Sequence, residues 1–93
     1  MPVGLLTLEL HLPYAHSLKE KRLVLRRLQD RLRARFNVSV GELDHQDLWQ
    51  RALIGVAAVA SNESVVESIL RSAEAEALSL FPGELVRSEM TLL

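Results

Sequence analysis

The chain has 93 residues, enough for one domain built around one hydrophobic core. Hydrophobic residues make up 48% of it and charged residues 25%, a balance typical of a globular protein rather than a disordered one. The absence of cysteine excludes disulfide bonds, thiol catalysis and cysteine-ligated zinc. The sequence has no basic stretch before an N-terminal apolar run and no apolar run long enough to span a bilayer, so we expect a single cytoplasmic domain over residues 1–93.

The first predicted elements are a strand and a helix. Between Val3 and Leu12, leucine at every second position predicts a strand that is covered on one face. Pro13 ends this strand, and the spacing of Ser17 and Glu20 is that of a capping box, which predicts that a helix begins there and runs to about Arg35. Apolar residues of this helix form one stripe that packs on a core. The stripe consists of Leu18, Leu25, Leu28, Leu32 and Phe36.

The first helix carries most of the positive charge of the molecule. Residues 17–36 contain eight basic and two acidic residues, for a net charge of +6, whereas the rest of the chain, with three basic and ten acidic residues, carries −7. The formal net charge of −1 therefore conceals a dipolar molecule. Arg27 and Arg31 fall at the back of the helix, and one flank beside the apolar stripe holds a row of cations suited to phosphate oxygens. This row, the basic ridge, consists of Lys19, Arg22, Arg26 and Arg33.

Lys21 is the exception among the basic residues, because it projects within the apolar stripe between Leu25 and Leu28. Either its aliphatic stem lies along the sheet edge so that the ammonium reaches water or a carboxylate, or the ammonium is held for a ligand. We favour the structural interpretation of this lysine.

Two further strands are predicted after the first helix. We expect Asn37 to end that helix in a left-handed conformation, and the strand from Val38 to Asp44 to bend or bulge at Gly41. The continuous apolar run from Ala52 to Ala60 predicts a central strand that is buried on both faces.

A second helix follows, capped by Ser61 or Asn62 and ending near Leu80, where Pro82 and Gly83 stop it. Six of its apolar residues are expected to face inward. They are Val65, Val66, Ile69, Leu70, Ala73 and Ala77.

The last strand is predicted over residues 84–92, where Val86, Met90 and Leu92 are expected on one face. The element order is then β-α-β-β-α-β. With right-handed crossovers around each helix, this order predicts an α+β, ferredoxin-like fold, in which both helices cover one face of a four-stranded antiparallel sheet. The first and third strands would be central in that sheet.

Three stretches of the sequence carry a resemblance to a known family. They are SLKEKR at residues 17–22, ARFNVSVGELD at residues 34–44 and DLWQRALIGVA at residues 47–57. Over almost its whole length the chain resembles the YlxP-like family of small bacterial proteins of unknown function. The matching positions are Gly4, Ser17 to Arg22, Phe36 to Val38, Trp49, Gln50 and Gly55.

This resemblance implies the ferredoxin-like fold. Through the family's usual gene neighbourhood, beside transcription-elongation, translation-initiation and ribosome-maturation factors, it also implies a link to ribosome assembly or translation. It implies no reaction and supplies no catalytic residue.

Enzymatic chemistry has little support in the sequence. Acylphosphatases share this fold but need an arginine in a glycine-rich phosphate cradle, and the corresponding loop, LPYAHS at residues 12–17, contains neither residue type. His11 and His16 lack a third metal ligand, and Ser17 lacks a neighbouring base, so we expect no catalytic residue, cofactor or metal. A phosphate could still bind at the N-terminus of the first helix, at His16, Ser17 and Lys19.

RNA binding by the sheet is not expected, because RNA-recognition motifs stack bases on aromatic residues of the central strands, and here the aromatic residues lie in loops or at element ends. RNA would have to bind the basic ridge. We therefore predict a non-enzymatic accessory protein that binds RNA or associates with the ribosome. Two alternatives stay open: a protein-interaction module that uses the first helix or the open sheet face, and, as a distant third, a small phosphate-ligand enzyme. A charge-rich helix can also be simply a solvated surface.

Several apolar residues are candidates for contact with a partner. Trp49 is interpreted either as a lid over a sheet edge or as a stacking platform, and Leu23 lies exposed on the basic side of its helix.

We also expect a homodimer, because the third strand is apolar on both faces, with Val56 assigned to the open one. The second strand offers an unprotected edge at Val38 and Val40.

Overall fold

The structure is a computed structural model that describes residues 2–93. Its elements follow the predicted order, and their boundaries lie within one residue of the predicted ones. The elements are β1 (Val3–His11), α1 (Leu18–Arg35), β2 (Ser39–Asp44), β3 (Arg51–Val59), α2 (Glu63–Leu80) and β4 (Leu85–Leu92).

The four strands form one antiparallel sheet in the order β2-β3-β1-β4. β1 is central, so that Leu6 pairs with Val56 of β3 on one side and with Met90 of β4 on the other. Both helices cover the same face, α1 over β2 and α2 over β1, β3 and β4. The predicted ferredoxin-like fold, with the first and third strands central, is confirmed.

The hydrophobic core lies between the sheet and the helices. In β1 the side chains of Leu6, Leu8 and Leu10 are buried, whereas those between them are only partly covered. Burying one large aliphatic side chain contributes about 1.5–3 kcal/mol, so the strict alternation fixes which face of the strand meets the helices. The helices contribute Leu25, Leu28, Leu32, Val66, Leu70, Ala73 and Ala77 to this core.

Gly4 determines how closely α2 approaches the sheet. A Cβ atom at this position would lie 2.6 Å from Val66 Cγ1 and 2.7 Å from Leu70 Cδ1, well inside carbon–carbon contact distance. The missing side chain therefore makes room for two buried residues of α2.

Both helices begin at predicted caps. Ser17 Oγ accepts a hydrogen bond from the N–H of Glu20 at 3.1 Å, and Asn62 Oδ1 accepts one from the N–H of Val65 at 3.0 Å. The Glu20 carboxylate accepts the N–H of His16 at 2.7 Å, so the returning bond of the capping box reaches one residue beyond the cap. The predicted start of α1 is confirmed, and of the two residues considered for α2, Asn62 is the cap.

The end of α1 differs from the prediction. Phe36 closes the helix with an extended backbone and donates its N–H to Leu32 O at 2.9 Å. The N–H of Val38 then bonds to Phe36 O at 3.0 Å, so the chain enters β2 without a left-handed residue. The prediction for Asn37 was wrong; among residues 2–93 a positive φ at a non-glycine residue occurs at His45, where it is 65°.

The bulge in β2 also lies elsewhere than predicted. Gly41 pairs regularly with Gly55, and the register shifts only between Glu42 and Asp44. The inserted residue, Leu43, lies over Gly55, where an added Cβ would be 2.8 Å from Leu43 Cδ1. The glycine that this bulge requires is therefore on the neighbouring strand, and not Gly41.

Three valines differ from the prediction in direction or in burial. Val56 has no exposed surface, because it pairs with Leu6 on the helix-covered face of the sheet. Val65 is 42% exposed, since it lies in the first turn of α2 and turns away from the sheet. Val86 is 56% exposed because the register of β4 shifts opposite Glu9 and Leu10, which interrupts the alternation.

Candidate nucleic-acid interface on the first helix

The exposed flank of α1 carries the candidate interface. Lys19, Arg22 and Arg26 are exposed, and within residues 2–93 none of them forms an ion pair. With a rise of 1.5 Å per residue, they cover about 10 Å along the helix. Asp30 projects on the same side and adds one negative charge, so the ridge keeps a clear positive excess.

Arg33, the fourth member of the basic ridge, is exposed but partly engaged. Its Nη2 donates a hydrogen bond to the carbonyl oxygen of Val40 at 2.8 Å. A guanidinium carries five N–H donors, so this bond leaves others free to meet a ligand. The same contact places the arginine over part of the β2 edge.

The other flank of α1 is neutralised by α2. Glu76 accepts hydrogen bonds from Arg31 at 2.9 Å and from Arg35 at 3.3 Å. The guanidinium of Arg27 lies over the ring of Phe81, 5.9 Å from its centroid. The positive charge of α1 is therefore satisfied within the molecule on the side of α2 and left open along the basic ridge.

Lys21 is buried, with 1% of its surface exposed. Its Nζ donates to the carbonyl oxygen of His45 at 2.5 Å and lies 2.8 Å from Glu42 Oε2. That second contact is an ion pair without hydrogen-bond geometry, since Glu42 Oε2 is buried and has no directed donor among the described residues. These contacts agree with the structural interpretation of Lys21, in which its ammonium reaches a carboxylate. They join α1 to the β2–β3 hairpin.

The predicted anion site at the N-terminus of α1 already contains a carboxylate. His16 and Lys19 are exposed, but the backbone N–H of His16 donates to Glu20, and Ser17 Oγ is occupied by the N–H of Glu20. A phosphate would have to share this helix end with the negative charge of Glu20. The site stays a prediction.

A cavity of about 490 Å³ borders the β2–β3 loop, and sequence reasoning missed it. Its lining consists of His11, Asp47, Leu48, Trp49, Gln50 and Arg51. Trp49 is 50% exposed, so its indole offers a free surface beside the opening. The cavity forms because β1 and β3 pair His11 with Arg51, and because Gln50 Nε2 donates to Pro13 O at 3.2 Å, which ties the two loops together. These pairings depend on strand register, and a single sequence does not display register.

The open sheet face is charged and lacks aromatic residues. Arg51 pairs with Glu9 at 3.3 Å, and Arg87 pairs with Glu89 next to them. None of the four strands contains an aromatic residue. Within residues 2–93, the strands therefore offer no aromatic ring on which a nucleobase could stack.

Other kinds of site have no counterpart in the described part of the chain. Residues 2–93 contain no group of three or more histidine or acidic side chains placed to hold a metal ion. Neither of the helices within that range combines the length and apolarity needed to cross a bilayer.

Comparison with known proteins assigns the chain to a family. Residues 3–90 match the family described as "Protein of unknown function (DUF503)". The chain belongs to the DUF503 family. The chain is also similar to "Uncharacterized protein YlxP" of Bacillus subtilis (strain 168), with 49% identity over 57 residues, which cover 61% of this chain and 62% of the relative. The resemblance to the YlxP-like family is thereby confirmed.

Among solved structures, this DUF503 chain is similar to a C-terminal segment of the alpha subunit of aIF2 from Pyrococcus abyssi. The TM-score is 0.53 and the sequence identity 23%, over all of this chain. The chain spans about half of that structure, 51% of its length. At this identity the likeness shows the fold alone.

Proposed function

We propose that this DUF503 protein is a non-enzymatic accessory protein that binds the phosphate backbone of RNA through the basic ridge of α1. The observation that supports the proposal is the unequal neutralisation of this helix. Arg31 and Arg35 share the Glu76 carboxylate, whereas Lys19, Arg22 and Arg26 have no acidic partner among residues 2–93.

A row of unpaired cations favours an extended polyanion as its ligand. Exposed like charges on one helix repel each other, and the repulsion is relieved when successive phosphates lie along the row. Guanidinium groups bind phosphate oxygens through two parallel hydrogen bonds, which suits the two arginines at the centre of the ridge. Because the ridge contacts backbone and not bases, we expect weak sequence preference.

A role in ribosome assembly or translation rests on the gene neighbourhood that the YlxP-like resemblance implies. Within this proposal the RNA is ribosomal, and the protein acts by binding rather than by catalysis. Co-sedimentation with a ribosomal subunit or its precursor would support a role in ribosome assembly or translation. If the protein bound purified ribosomal RNA but did not co-sediment under the same conditions, that role would be contradicted.

The binding itself is tested with two matched arginine substitutions. Arg26→Glu reverses a charge in the ridge, whereas Arg71→Glu makes the same change on α2, where Arg71 pairs with Glu67 at 2.8 Å. In fluorescence anisotropy with a ribosomal RNA fragment at low salt, Arg26→Glu should weaken binding roughly tenfold and Arg71→Glu much less, since only the former contacts phosphate. Equal losses for the two variants would contradict the ridge as the binding surface.

A second candidate function is docking on an acidic protein. Leu23 is 60% exposed and borders the basic ridge, an arrangement in which a partner could cover one apolar residue while pairing with the cations around it. This candidate predicts that captured partners survive nuclease treatment and are lost with Leu23→Asp. Loss of every partner after nuclease would leave RNA as the ligand.

The proposal includes a homodimer, and two of the residues that the sequence placed at its contact surface lie in the core. Val56 is fully buried and Val40 is 6% exposed, so both side chains belong to the core and not to a free surface. Substitution of either residue would report on folding rather than on association.

A further inference from the structure

We infer that the exposed edge of β4 pairs with β4 of a second copy, antiparallel about a two-fold axis at Ser88, so that two chains share one eight-stranded sheet. The inference deepens the homodimer part of the proposed function and does not depend on RNA binding. It rests on the two sheet edges, the backbone pattern of β4, its charges and the groove beside it.

The two edges of the sheet are protected to different degrees. At the β2 edge, the Arg33 guanidinium occupies the Val40 carbonyl oxygen at 2.8 Å, and the bulge between Glu42 and Asp44 interrupts the strand. Both features are devices that prevent strand addition. Within residues 2–93, β4 pairs with β1 alone, and Glu74 of α2 accepts a hydrogen bond from the Ser88 hydroxyl rather than covering the backbone as Arg33 does on β2.

The backbone of β4 presents regularly spaced hydrogen-bonding groups at this edge. Leu93 N donates to Val3 O at 2.7 Å, which identifies the residues of β4 that bond to β1. In an antiparallel ladder such residues alternate with residues whose N–H and C=O point the other way. Ser88, Met90 and Leu92 are therefore the residues that turn their backbone groups outward.

The charges of β4 are self-complementary about Ser88. If Ser88 lies opposite Ser88 of a second antiparallel strand, Arg87 lies opposite Glu89 of that strand, and Glu89 lies opposite its Arg87. Both side chains are well exposed, at 68% and 56%, and both lie on the open sheet face. Directly opposed cross-strand residues have Cβ atoms about 4.5–5.5 Å apart, close enough for two symmetric ion pairs. Within residues 2–93, Arg87 forms an ion pair with Glu89 of its own strand and lies opposite Glu9 of β1.

An apolar groove of about 440 Å³ runs between α2 and β4 and would be covered by the same contact. It is lined in part by Ala75, Leu78, Leu85 and Val86, of which Leu78 is 50% and Val86 56% exposed. The pairing about Ser88 brings Met90 of the second copy opposite Val86.

The basic ridges would lie at the two far ends of the shared sheet, because α1 covers β2 and not β4.

The decisive experiment exchanges the two charges. Arg87→Glu alone and Glu89→Arg alone each place like charges opposite each other in a dimer, and each should raise the dissociation constant at least roughly tenfold in sedimentation equilibrium, since two repulsive pairs replace two attractive ones. The double variant Arg87→Glu with Glu89→Arg restores both pairs and should dimerise like the natural sequence. An equimolar mixture of the two single variants should form a heterodimer, because every opposed pair in it is then attractive. A contact elsewhere on the molecule predicts neither the rescue nor the heterodimer.

A backbone variant provides an independent test. Ser88→Pro removes an outward N–H that β1 does not use, together with the hydroxyl that donates to Glu74 of α2. It should leave the monomer folded by circular dichroism and abolish the dimer. The control Ser88→Ala, which removes the hydroxyl alone, should leave the dimer intact. A chain that stays monomeric at millimolar concentration overturns the inference, and so does a dimer that is indifferent to all four variants. Failure of the RNA proposal is distinguishable, because ridge variants such as Arg26→Glu should dimerise normally and β4 variants should still bind RNA.

Discussion

Lys21 shows how much one side chain depends on partners distant in sequence. It is buried at 1% exposure among leucines of α1, yet its ammonium meets a carboxylate and a carbonyl from the β2–β3 hairpin. A buried charge is costly unless it is paired, so these two contacts decide whether the lysine is tolerated at this position. His45, whose φ of 65° turns its carbonyl toward the ammonium, is part of the same arrangement.

Removing the lysine should destabilise the fold. Lys21→Ala leaves the partly exposed Glu42 without its cation and opens a gap in the core, so we expect a loss of about 2–4 kcal/mol in the free energy of unfolding by urea. Lys19→Ala, a change of the same kind at an exposed position, should cost less than about 0.5 kcal/mol. Lys21→Met combined with Glu42→Gln should recover much of the loss, because an apolar side chain of similar length then faces a neutral partner. A destabilisation equal to that of Lys19→Ala would show that the buried pair is not a structural contact.

Tyr14 should titrate at unusually high pH. Partial burial raises the pKa of its phenol above 10.0, and the Glu84 carboxylate, which accepts its hydrogen bond at 3.2 Å, raises the pKa further, with Arg27 acting in the opposite direction. A pKa that is higher in the folded state stabilises the fold below the unfolded value and loses that contribution as pH rises through the folded value. Because Tyr14 is the single tyrosine of the chain, its phenolate absorbance reports it directly. We expect a midpoint above 10.0 that falls with Glu84→Gln; a midpoint unaffected by that change would contradict the contact.

At the scale of elements, the packing of α2 on β1 depends on Gly4. An added methyl group would meet Val66 Cγ1 at 2.6 Å and Leu70 Cδ1 at 2.7 Å, both on buried side chains that have little room to move. We expect Gly4→Ala to lower stability by about 1–3 kcal/mol, which thermal unfolding would measure. Gly41→Ala is the matched control, because no atom lies within 4 Å of the added methyl group, and it should be close to neutral. If both substitutions had the same effect, close packing at Gly4 would not be the cause.

The elements themselves were predictable because their signals are local. The cap at Ser17, the alternation of leucines in β1 and the apolar run of β3 each lie within a few residues of sequence, and each gave a boundary within one residue of the observed one. Two of the errors came from non-local geometry. The bulge at Leu43 depends on the space above Gly55, and the burial of Val56 depends on its pairing with Leu6.

For the candidate interface, too, the local features were predictable from the sequence and the non-local contacts were not. Helical periodicity separated the basic ridge from Arg27 and Arg31, because side-chain direction in a helix follows position. It did not reveal that Glu76 of α2 neutralises Arg31 and Arg35, or that Arg33 contacts Val40, since those partners lie far away in the chain or on another element. The cavity beside Trp49 escaped prediction for the same reason.

At the scale of the whole molecule, positive and negative charges lie on different surfaces of the protein. The net charge is −1, yet among residues 2–93 the basic ridge forms no ion pair, while acidic residues concentrate on α2 and the strands. Such a distribution steers a polyanion toward one flank of the protein without giving the whole molecule affinity for anions. A dimer through β4 would present two such flanks.

The salt dependence of RNA binding tests the central claim most directly. Each neutralised phosphate releases counterions, so a ridge that meets about four phosphates should give a slope of roughly −3 to −4 in log affinity against log salt concentration. Arg22→Glu with Arg26→Glu removes two of these contacts and should make the slope shallower by roughly two, whereas Arg71→Glu should leave it unchanged. An absence of binding at low salt, or a slope that the double ridge variant does not alter, would contradict the account.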